Sequence, residues 1–217
     1  MLRGKTFAVL TLLAVIALVS TQAFATAELK LTDGTTTIDI LDGGAGDSNP
    51  AAGTVTWIGS LGVWSINVST GINKGVLGLD LSSINDAGGP GTLTISFSDD
   101  NFTTSPGPYE LAVGGTLDPT GSASFSAFAD TSKFGTANQI GSTLSFSAPP
   151  AAFSGSTGGP GVGNALTEIA TLSFTSASGG NASFDERLTP VPEPASLALL
   201  GTGLVGLAGS IRRKFMR

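Results

Sequence analysis

The chain has 217 residues and contains neither histidine nor cysteine, which excludes Ser-His-Asp triads, cysteine nucleophiles, imidazole bases and zinc sites built from these residues. Residues 26–190 hold 15 acidic and four basic side chains, a formal charge of −11. Because such a surface repels nucleic acid and anionic lipid, we expect no nucleic-acid partner, and any electrostatic partner of this part of the chain should be cationic.

Residues 1–25 have the three parts of a secretory signal peptide. A basic start is followed by an apolar run from Phe7 to Val19 and by the small-x-small cleavage site Ala23-Phe24-Ala25. The pattern implies signal peptidase as a partner, with Ala23 and Ala25 as its recognition residues. We predict cleavage after Ala25. Cleavage after Ala27 is the alternative register, and a buried N-terminal helix is the alternative to a signal peptide.

Residues 26–190 form the predicted folded domain. Apolar residues alternate with hydroxyl residues along it, as in Leu93-Thr94-Ile95-Ser96-Phe97. This period of two directs one set of side chains into a core and the other toward water, which is typical of antiparallel sheets. Segments of this kind, rich in Thr, Val, Ile and Phe, predict eight or more strands: 35–41, 53–59, 61–70, 76–84, 91–98, 121–130, 139–148 and 166–176.

Glycine and proline pairs separate these segments, and almost no helical periodicity is present. The chain therefore predicts an all-β domain, a sandwich of two antiparallel sheets of the jelly-roll or immunoglobulin-like kind, with a barrel as the alternative. We expect residues 148–163 to form a long, mobile loop and residues 189–194 to form a linker. The alternation predicts these core residues: Leu93, Ile95, Phe97, Leu144, Phe146, Leu172 and Phe174.

Two tryptophans are candidates for a ligand site. Indole rings stack on the C–H faces of sugars, so Trp57 and Trp64 predict either a carbohydrate platform or two core residues. If the stretch between them is a turn, the two rings face each other across a hairpin.

Acidic residues in glycine-rich loops are candidates for a structural Ca²⁺ site. Hard cations prefer oxygen ligands, but solvated turn aspartates give the same pattern, and no spacing here matches a known calcium loop. A structural Ca²⁺ ion and no ion at all therefore both stay open, and no other cofactor is expected. The residues concerned are Asp42, Asp47, Asp86, Asp99, Asp100 and Asn101.

The last 27 residues combine a turn, an apolar segment and a basic cluster. Val191-Pro192-Glu193-Pro194 is predicted to be a rigid turn, in which two prolines fix the chain on either side of a carboxylate and leave it exposed. Residues 195–211 are uncharged. As a helix they would span about 26 Å, slightly less than the hydrocarbon core of about 30 Å, which such a helix can just cross. The basic cluster should stay in the cytoplasm, so the preceding chain lies outside. This cluster consists of Arg212, Arg213, Lys214 and Arg217.

This C-terminal arrangement resembles the PEP-CTERM sorting signal of bacterial envelope proteins. The resemblance implies that an exosortase recognises Val191-Pro192-Glu193-Pro194 and cleaves the chain, while the basic cluster holds the transmembrane helix in register. It also implies an exported protein of the cell envelope that is transiently anchored in the inner membrane and then reaches the cell surface or the extracellular space. A plain C-terminal membrane anchor is the alternative.

We therefore expect a non-enzymatic surface or matrix protein, structural or adhesive, associated with exopolysaccharide or biofilm. A carbohydrate- or ice-binding module is the alternative. A glycosidase needs only two carboxyl groups, but no pair of carboxylates is marked by its sequence context, so we assign no catalytic residue.

Overall fold

The computed structural model describes residues 27–74, 78–100, 102, 107–149, 151–191 and 202–203. The predicted cleavage residues Ala23 and Ala25 lie outside this part of the chain. So do the basic cluster and all of the predicted sorting motif except Val191, so the structure does not test these assignments. Of the predicted transmembrane segment 195–211, only two residues are described. Within the described ranges, no helix is long and apolar enough to cross a membrane.

Two six-stranded antiparallel sheets form a β-sandwich, which confirms the predicted fold class. Sheet A has the order β2-β1-β6-β11-β8-β9, and sheet B has the order β10-β7-β12-β5-β4-β3. The strands are β1 (Glu28–Thr32), β2 (Thr37–Leu41), β3 (Thr54–Leu61), β4 (Trp64–Asn73), β5 (Leu79–Ala87), β6 (Gly91–Asp99), β7 (Pro108–Leu117), β8 (Gly121–Asp130), β9 (Gln139–Ser147), β10 (Ala152–Pro160), β11 (Ala165–Phe174) and β12 (Gly180–Pro190).

Each of the eight predicted strands corresponds to an observed one, and β1, β7, β10 and β12 are additional. The prediction of a mobile loop over 148–163 is wrong, because β10 lies there and pairs with β7 along its whole length. The predicted linker is also shortened, since Thr189 and Pro190 belong to β12. Strand β10 is an edge strand, where glycine and a terminal proline are tolerated because one side needs no partner.

The core lies between the two sheets. Of the seven predicted core residues, Leu144 and Phe146 are only partly buried because β9 is the edge strand of sheet A, and the other five are fully buried. The Phe97 ring occupies the space where a side chain at Gly71 would lie. This contact explains how the sheets approach so closely at that point, since a protein interior has no room for an added methyl group.

Both ends of the described domain lie at the same end of the sandwich. Glu28, at the start of β1, pairs with Ser98 at the end of β6, and Pro190, at the end of β12, pairs with Tyr109 at the start of β7. Because β6 leads into β7, these four residues share one end. We call it the proximal end, and we call the opposite end, with the turn between β3 and β4, the distal end.

Candidate functional site

Val191 is the one residue of the predicted sorting motif that the structure describes. It is 39% exposed, and its backbone amide donates a hydrogen bond of 2.8 Å to the carbonyl oxygen of Pro108. The chain is therefore held against β7 up to the residue that precedes Pro192 in the sequence. The first three residues of the predicted linker therefore belong to the folded domain.

The outer face of sheet A carries a row of hydroxyl residues, one on each of its six strands. A second, shorter row lies two residues nearer the distal end, and all ten side chains are exposed or half-buried. We call the two rows together the hydroxyl face. In order across the sheet, the rows are Thr37, Thr32, Thr94, Thr171, Ser124 and Ser145, and then Thr92, Ser173, Ser122 and Ser147.

The hydroxyl groups are close to one another across the strands. The hydroxyl oxygens of Thr94 and Thr171 lie 3.4 Å apart, and the Thr92 hydroxyl donates to that of Ser173 at 3.2 Å. A hydroxyl has one donor and two acceptor positions, so each group keeps the capacity for a further hydrogen bond. Thr32 is the exception, since its hydroxyl donates to the Thr36 carbonyl and accepts from the Gly34 amide and the Thr37 hydroxyl. The other hydroxyl groups of the face can offer a donor or an acceptor to a polar ligand.

The proximal half of the same outer face is covered instead. The Phe134 amide donates to the Ser98 hydroxyl at 3.1 Å, and the Lys30 ammonium group lies 4.1 Å from the centre of the Phe134 ring. Lys133 forms an ion pair of 2.7 Å with Glu28. The open hydroxyl face is thus confined to the distal half of sheet A.

Asp130 holds in place the segment 131–137, which covers the proximal half of the outer face of sheet A. Its carboxylate accepts hydrogen bonds from the amides of Ala137 at 2.9 Å and Thr131 at 2.7 Å. These hydrogen bonds, with Ala137 first, hold the pKa of Asp130 below its usual value. The segment therefore folds over the proximal half of the face through a cap at the end of β8.

The outer face of sheet B is divided by charged and apolar groups. The Asp80 carboxylate accepts hydrogen bonds from Lys74 and, at 3.2 Å, from Arg187. Ile84 stands out from the same face and is 53% exposed. Hydroxyl pairs also occur there, Thr56 with Thr70 at 3.0 Å and Thr116 with Ser183 at 2.7 Å. Neither pair extends across the sheet, because Ile84 lies beside Ser183 and Asp185 lies beside Ser82, the neighbour of Thr70. The uninterrupted rows are therefore specific to sheet A within the described residues.

A groove of about 690 Å³ opens at the proximal end of sheet B, where β7, β10 and β12 lie side by side. Tyr109 forms its floor, and burial raises the pKa of this phenol. A Cβ atom at Gly161 would lie 2.6 Å from carbons of the Tyr109 ring, so the glycine permits this packing. The walls include Pro108, Glu110, Pro160, Val162 and Val191.

The two tryptophans do not form a shared platform. Trp64 is 1% exposed and packs on Phe174 with ring centres 5.9 Å apart, so it is a core residue. Trp57 is partly buried and pairs with Ser69, whereas Trp64 pairs with Leu61. The β3–β4 turn does form a hairpin, but its register does not bring the indoles opposite each other.

Two of the candidate calcium residues accept hydrogen bonds within their own loops, whereas Asp99 on β6 accepts one from the Asn73 side chain on β4 at 2.7 Å. Asp47 accepts hydrogen bonds from the amides of Asn49 and Thr56, both at 2.9 Å, and Asp42 accepts one from the amide of Gly53 at 2.6 Å. These bonds are typical of turn aspartates. Among the described residues, no group of three or more acidic side chains is placed to hold a metal ion.

Two glutamates with no counterpart in the sequence-based predictions meet in the core. Glu168 on β11 and Glu186 on β12 point inward from opposite sheets and are fully buried. None of their four carboxyl oxygens has a hydrogen-bond partner within the described residues. An ionised carboxylate in such a place loses its hydration without compensation, so protonation of the pair is the stable arrangement.

Burial raises the pKa of both glutamates well above the usual value. The negative charges that Glu186, Asp80 and Asp185 carry when ionised raise the pKa of Glu168 further. The backbone amide of Leu188 lowers it. The period of two could have located Glu168, which follows Leu166 in the inward row of β11. Glu186 lies on β12, a strand that the sequence did not predict.

Comparison with known proteins identifies the C-terminal segment. The family model described as the PEP-CTERM protein-sorting motif matches residues 190–214. This range contains the predicted recognition residues and Arg212, Arg213 and Lys214 of the basic cluster. The chain therefore carries the sorting motif of exported bacterial envelope proteins, and the motif implies an exosortase as its processing partner. No curated protein matches the chain.

Similar solved structures are distant. The CBM22-1 xylan-binding domain from Paenibacillus barcinonensis is 13% identical, covers 67% of this chain and 90% of its own, and has a TM-score of 0.36. The PA14 sugar-binding domain of an RTX adhesin is 10% identical, with coverages of 77% and 91% and a TM-score of 0.34. Scores at this level carry no argument about a ligand.

Proposed function

We propose that this chain is a non-enzymatic protein of the bacterial surface or extracellular matrix, sorted and released by an exosortase, that holds polysaccharide on its hydroxyl face. The proposal that the chain binds polysaccharide rests on the uninterrupted hydroxyl row across all six strands of sheet A. The sorting motif at residues 190–214 supports the proposal that the protein is exported and sorted by an exosortase.

The chemistry of the face suits an extended, neutral or cationic glycan. Neighbouring strands lie about 4.8 Å apart, so the six-membered row extends over about 24 Å. Sugar hydroxyls are donors and acceptors like those of serine and threonine, and each contact is individually weak. Many such contacts along one polymer add up to useful retention through avidity. The charge of −11 disfavours an acidic polysaccharide.

The position of the face agrees with a matrix role. The proximal end carries Val191, the residue before Pro192, and therefore lies toward the membrane while the C-terminal segment is attached. The rows of the hydroxyl face lie in the distal half of sheet A, on the side away from that attachment. A polymer outside the cell would reach them both before and after release of the domain.

The carboxyl groups support a role without catalysis. Glycoside hydrolysis needs two carboxyl groups on either side of an accessible bond. Glu168 and Glu186, which the fold brings together, are fully buried in the core, where a substrate has no access. We assign them a structural role and propose that the domain has no enzymatic activity.

Ice is a second candidate ligand for the same face. Four threonines, Thr37, Thr32, Thr94 and Thr171, stand side by side in the row. They combine methyl and hydroxyl groups at a regular spacing, which suits an ordered array of water. Measurement of thermal hysteresis on the purified domain tests this alternative, since a polysaccharide-binding protein should show none.

Affinity electrophoresis tests the proposed polysaccharide site. The chain is run through gels that contain the purified exopolysaccharide of the source bacterium. The double variant T94V/T171V removes two central hydroxyls and keeps the shape of the side chains. Loss of two hydrogen bonds at about 1 kcal/mol each should weaken retention by about 30-fold.

The matched control is T56V/T70V, which removes a hydroxyl pair from the outer face of sheet B. We expect this variant to be retained like the unchanged chain. Equal retention of all three proteins, or an equal loss in the control, contradicts the assignment of the site to the hydroxyl face.

A further inference from the structure

The proximal groove lies directly beside the start of the sorting motif. Val191 forms part of its wall, and the motif residue Pro192 follows in the sequence. The hydrogen bond from the Val191 amide to Pro108 ties this residue to β7. An enzyme that binds Pro192-Glu193-Pro194 must therefore approach within a few ångströms of the groove.

The groove exposes apolar surface that the fold of the domain does not use. Val162, in the connection between β10 and β11, is 60% exposed, and Val191 is 39% exposed. Pro108 and Pro160 pair at the rim and are both exposed. These proline and valine side chains lose no hydrogen bond when a partner covers them, so this part of the groove can be buried without leaving a polar side chain unsatisfied.

We propose that the groove is a contact surface for the exosortase, a second region of recognition in addition to the motif itself. The inference rests on the proposed processing by an exosortase. Because Val191 lines the groove and Pro192 follows it directly in the sequence, contact at the groove helps to orient the motif and raises its effective concentration at the enzyme. The enzyme would thus favour chains whose domain has already folded, since β7, β10 and β12 build the groove only in the folded state.

The first test compares charged substitutions of Val162 in the full chain. V162D and V162K each place a charge in the patch, and a pulse-chase experiment in the source bacterium measures the rate of C-terminal processing. We expect both variants to be processed at least about fivefold more slowly, since burial of a new charge in a protein contact is costly unless the charge is paired. The control is I58D, because Ile58 is 59% exposed on β3, at the opposite edge of sheet B.

The two charges separate an enzyme from a lipid surface. An anionic membrane would reject aspartate and accept lysine, so slow processing of V162D with normal processing of V162K would overturn the proposal in favour of a lipid contact. Normal processing of both variants, or an equal delay in I58D, would also overturn it. Melting temperatures of the variants confirm that each domain has folded.

The second test separates the groove from the motif. Insertion of Gly-Ser-Gly-Ser-Val after Val191 keeps the valine in the groove, supplies a valine before Pro192, and adds up to about 17 Å of chain. In the inserted chain, V162D should slow processing by a clearly smaller factor than in the original. An equal factor in both chains would show that V162D acts through secretion or folding, and the proposal would fail.

The variant E193A distinguishes failure of the proposed sorting by an exosortase from failure of the groove proposal. The variant E193A disrupts the motif without touching the groove, and it should abolish processing in both the original and the inserted chain. If E193A is processed normally, the enzyme does not recognise the motif through Glu193 and the proposed sorting by an exosortase is wrong. If E193A is inactive while V162D and V162K are normal, only the inference about the groove fails.

Discussion

The buried carboxyl pair predicts that the domain loses stability as the pH rises. We consider the variants E168Q and E186Q, in which an amide of nearly the same size replaces each carboxyl group. In the unfolded chain a glutamate has a pKa of about 4.3, whereas burial holds the pKa of both groups well above this value in the folded domain. The folded state therefore binds more protons than the unfolded state above pH 4.3.

The sign and the magnitude follow from this difference. Each carboxyl group that stays protonated only in the folded domain lowers the free energy of unfolding by about 1.4 kcal/mol per pH unit. While both groups stay protonated in the folded domain, the loss is about 2.7 kcal/mol for each pH unit well above 4.3. The stabilisation is fully present below pH 4.3 and is lost as the pH rises toward the folded-state pKa.

Other carboxylates contribute little in this window. Asp33, Asp118 and Asp130 accept backbone hydrogen bonds that lower their pKa values. These three carboxylates therefore change the pH dependence of stability only below about pH 4. Burial and the nearby Asp80 raise the pKa of Asp185, while Arg187 opposes them. Asp185 should leave a small residual slope that glutamine at the two core positions does not remove.

Urea denaturation of residues 26–190, followed by tryptophan fluorescence, measures the effect. Trp64 is buried, so its emission should change on unfolding. We expect each single variant to have a flatter pH dependence than the unchanged domain, to match it within about 1 kcal/mol at pH 4.5, and to exceed its stability at pH 6.5. A free energy of unfolding that stays level or rises between pH 4.5 and 6.5 in the unchanged domain refutes the reasoning, as does a destabilised E168Q at pH 6.5.

The remaining predictions concern the core and the absence of catalysis. F97A should lower the free energy of unfolding by about 3–5 kcal/mol in urea denaturation, because a fully buried ring leaves a cavity. G71A should destabilise the domain through overlap with the Phe97 ring, by about 1–3 kcal/mol, whereas G88A, whose Cβ would meet its nearest neighbour at 3.6 Å, should change little. Equal stability of the two glycine variants would contradict the inferred contact. A panel of glycosidase and esterase substrates should give no turnover, and turnover that one carboxylate substitution abolishes would show the domain to be an enzyme.

The sequence predicted the strands in which large apolar side chains alternate with small polar ones. Leu93-Thr94-Ile95-Ser96-Phe97 is such a strand, and it lies in the middle of sheet A. Strand β10 escaped prediction because serine and glycine occupy most of its positions, so it has almost no apolar period. Its position depends on hydrogen bonds with β7, which local sequence does not reveal.

The candidate sites depend on pairings between distant parts of the chain. Alternation predicted that Thr94 points toward water, but its neighbour Thr171 is 77 positions away, and only the register of β6 with β11 brings the two together. The same reason applies to the groove, where Tyr109 meets Gly159 across β7 and β10. Motifs made of consecutive residues were predictable, and the sorting motif is the example that the comparison confirmed.

Intact-mass analysis of the protein recovered from the extracellular polysaccharide tests the central claim most directly. We predict a form that begins at Thr26 and has lost the apolar segment and the basic cluster that follow the motif. The variant E193A should instead remain in the membrane fraction at the mass of residues 26–217. Recovery of the unchanged protein only from membranes, with residues 195–217 intact, would contradict the account and show that the segment is a permanent anchor.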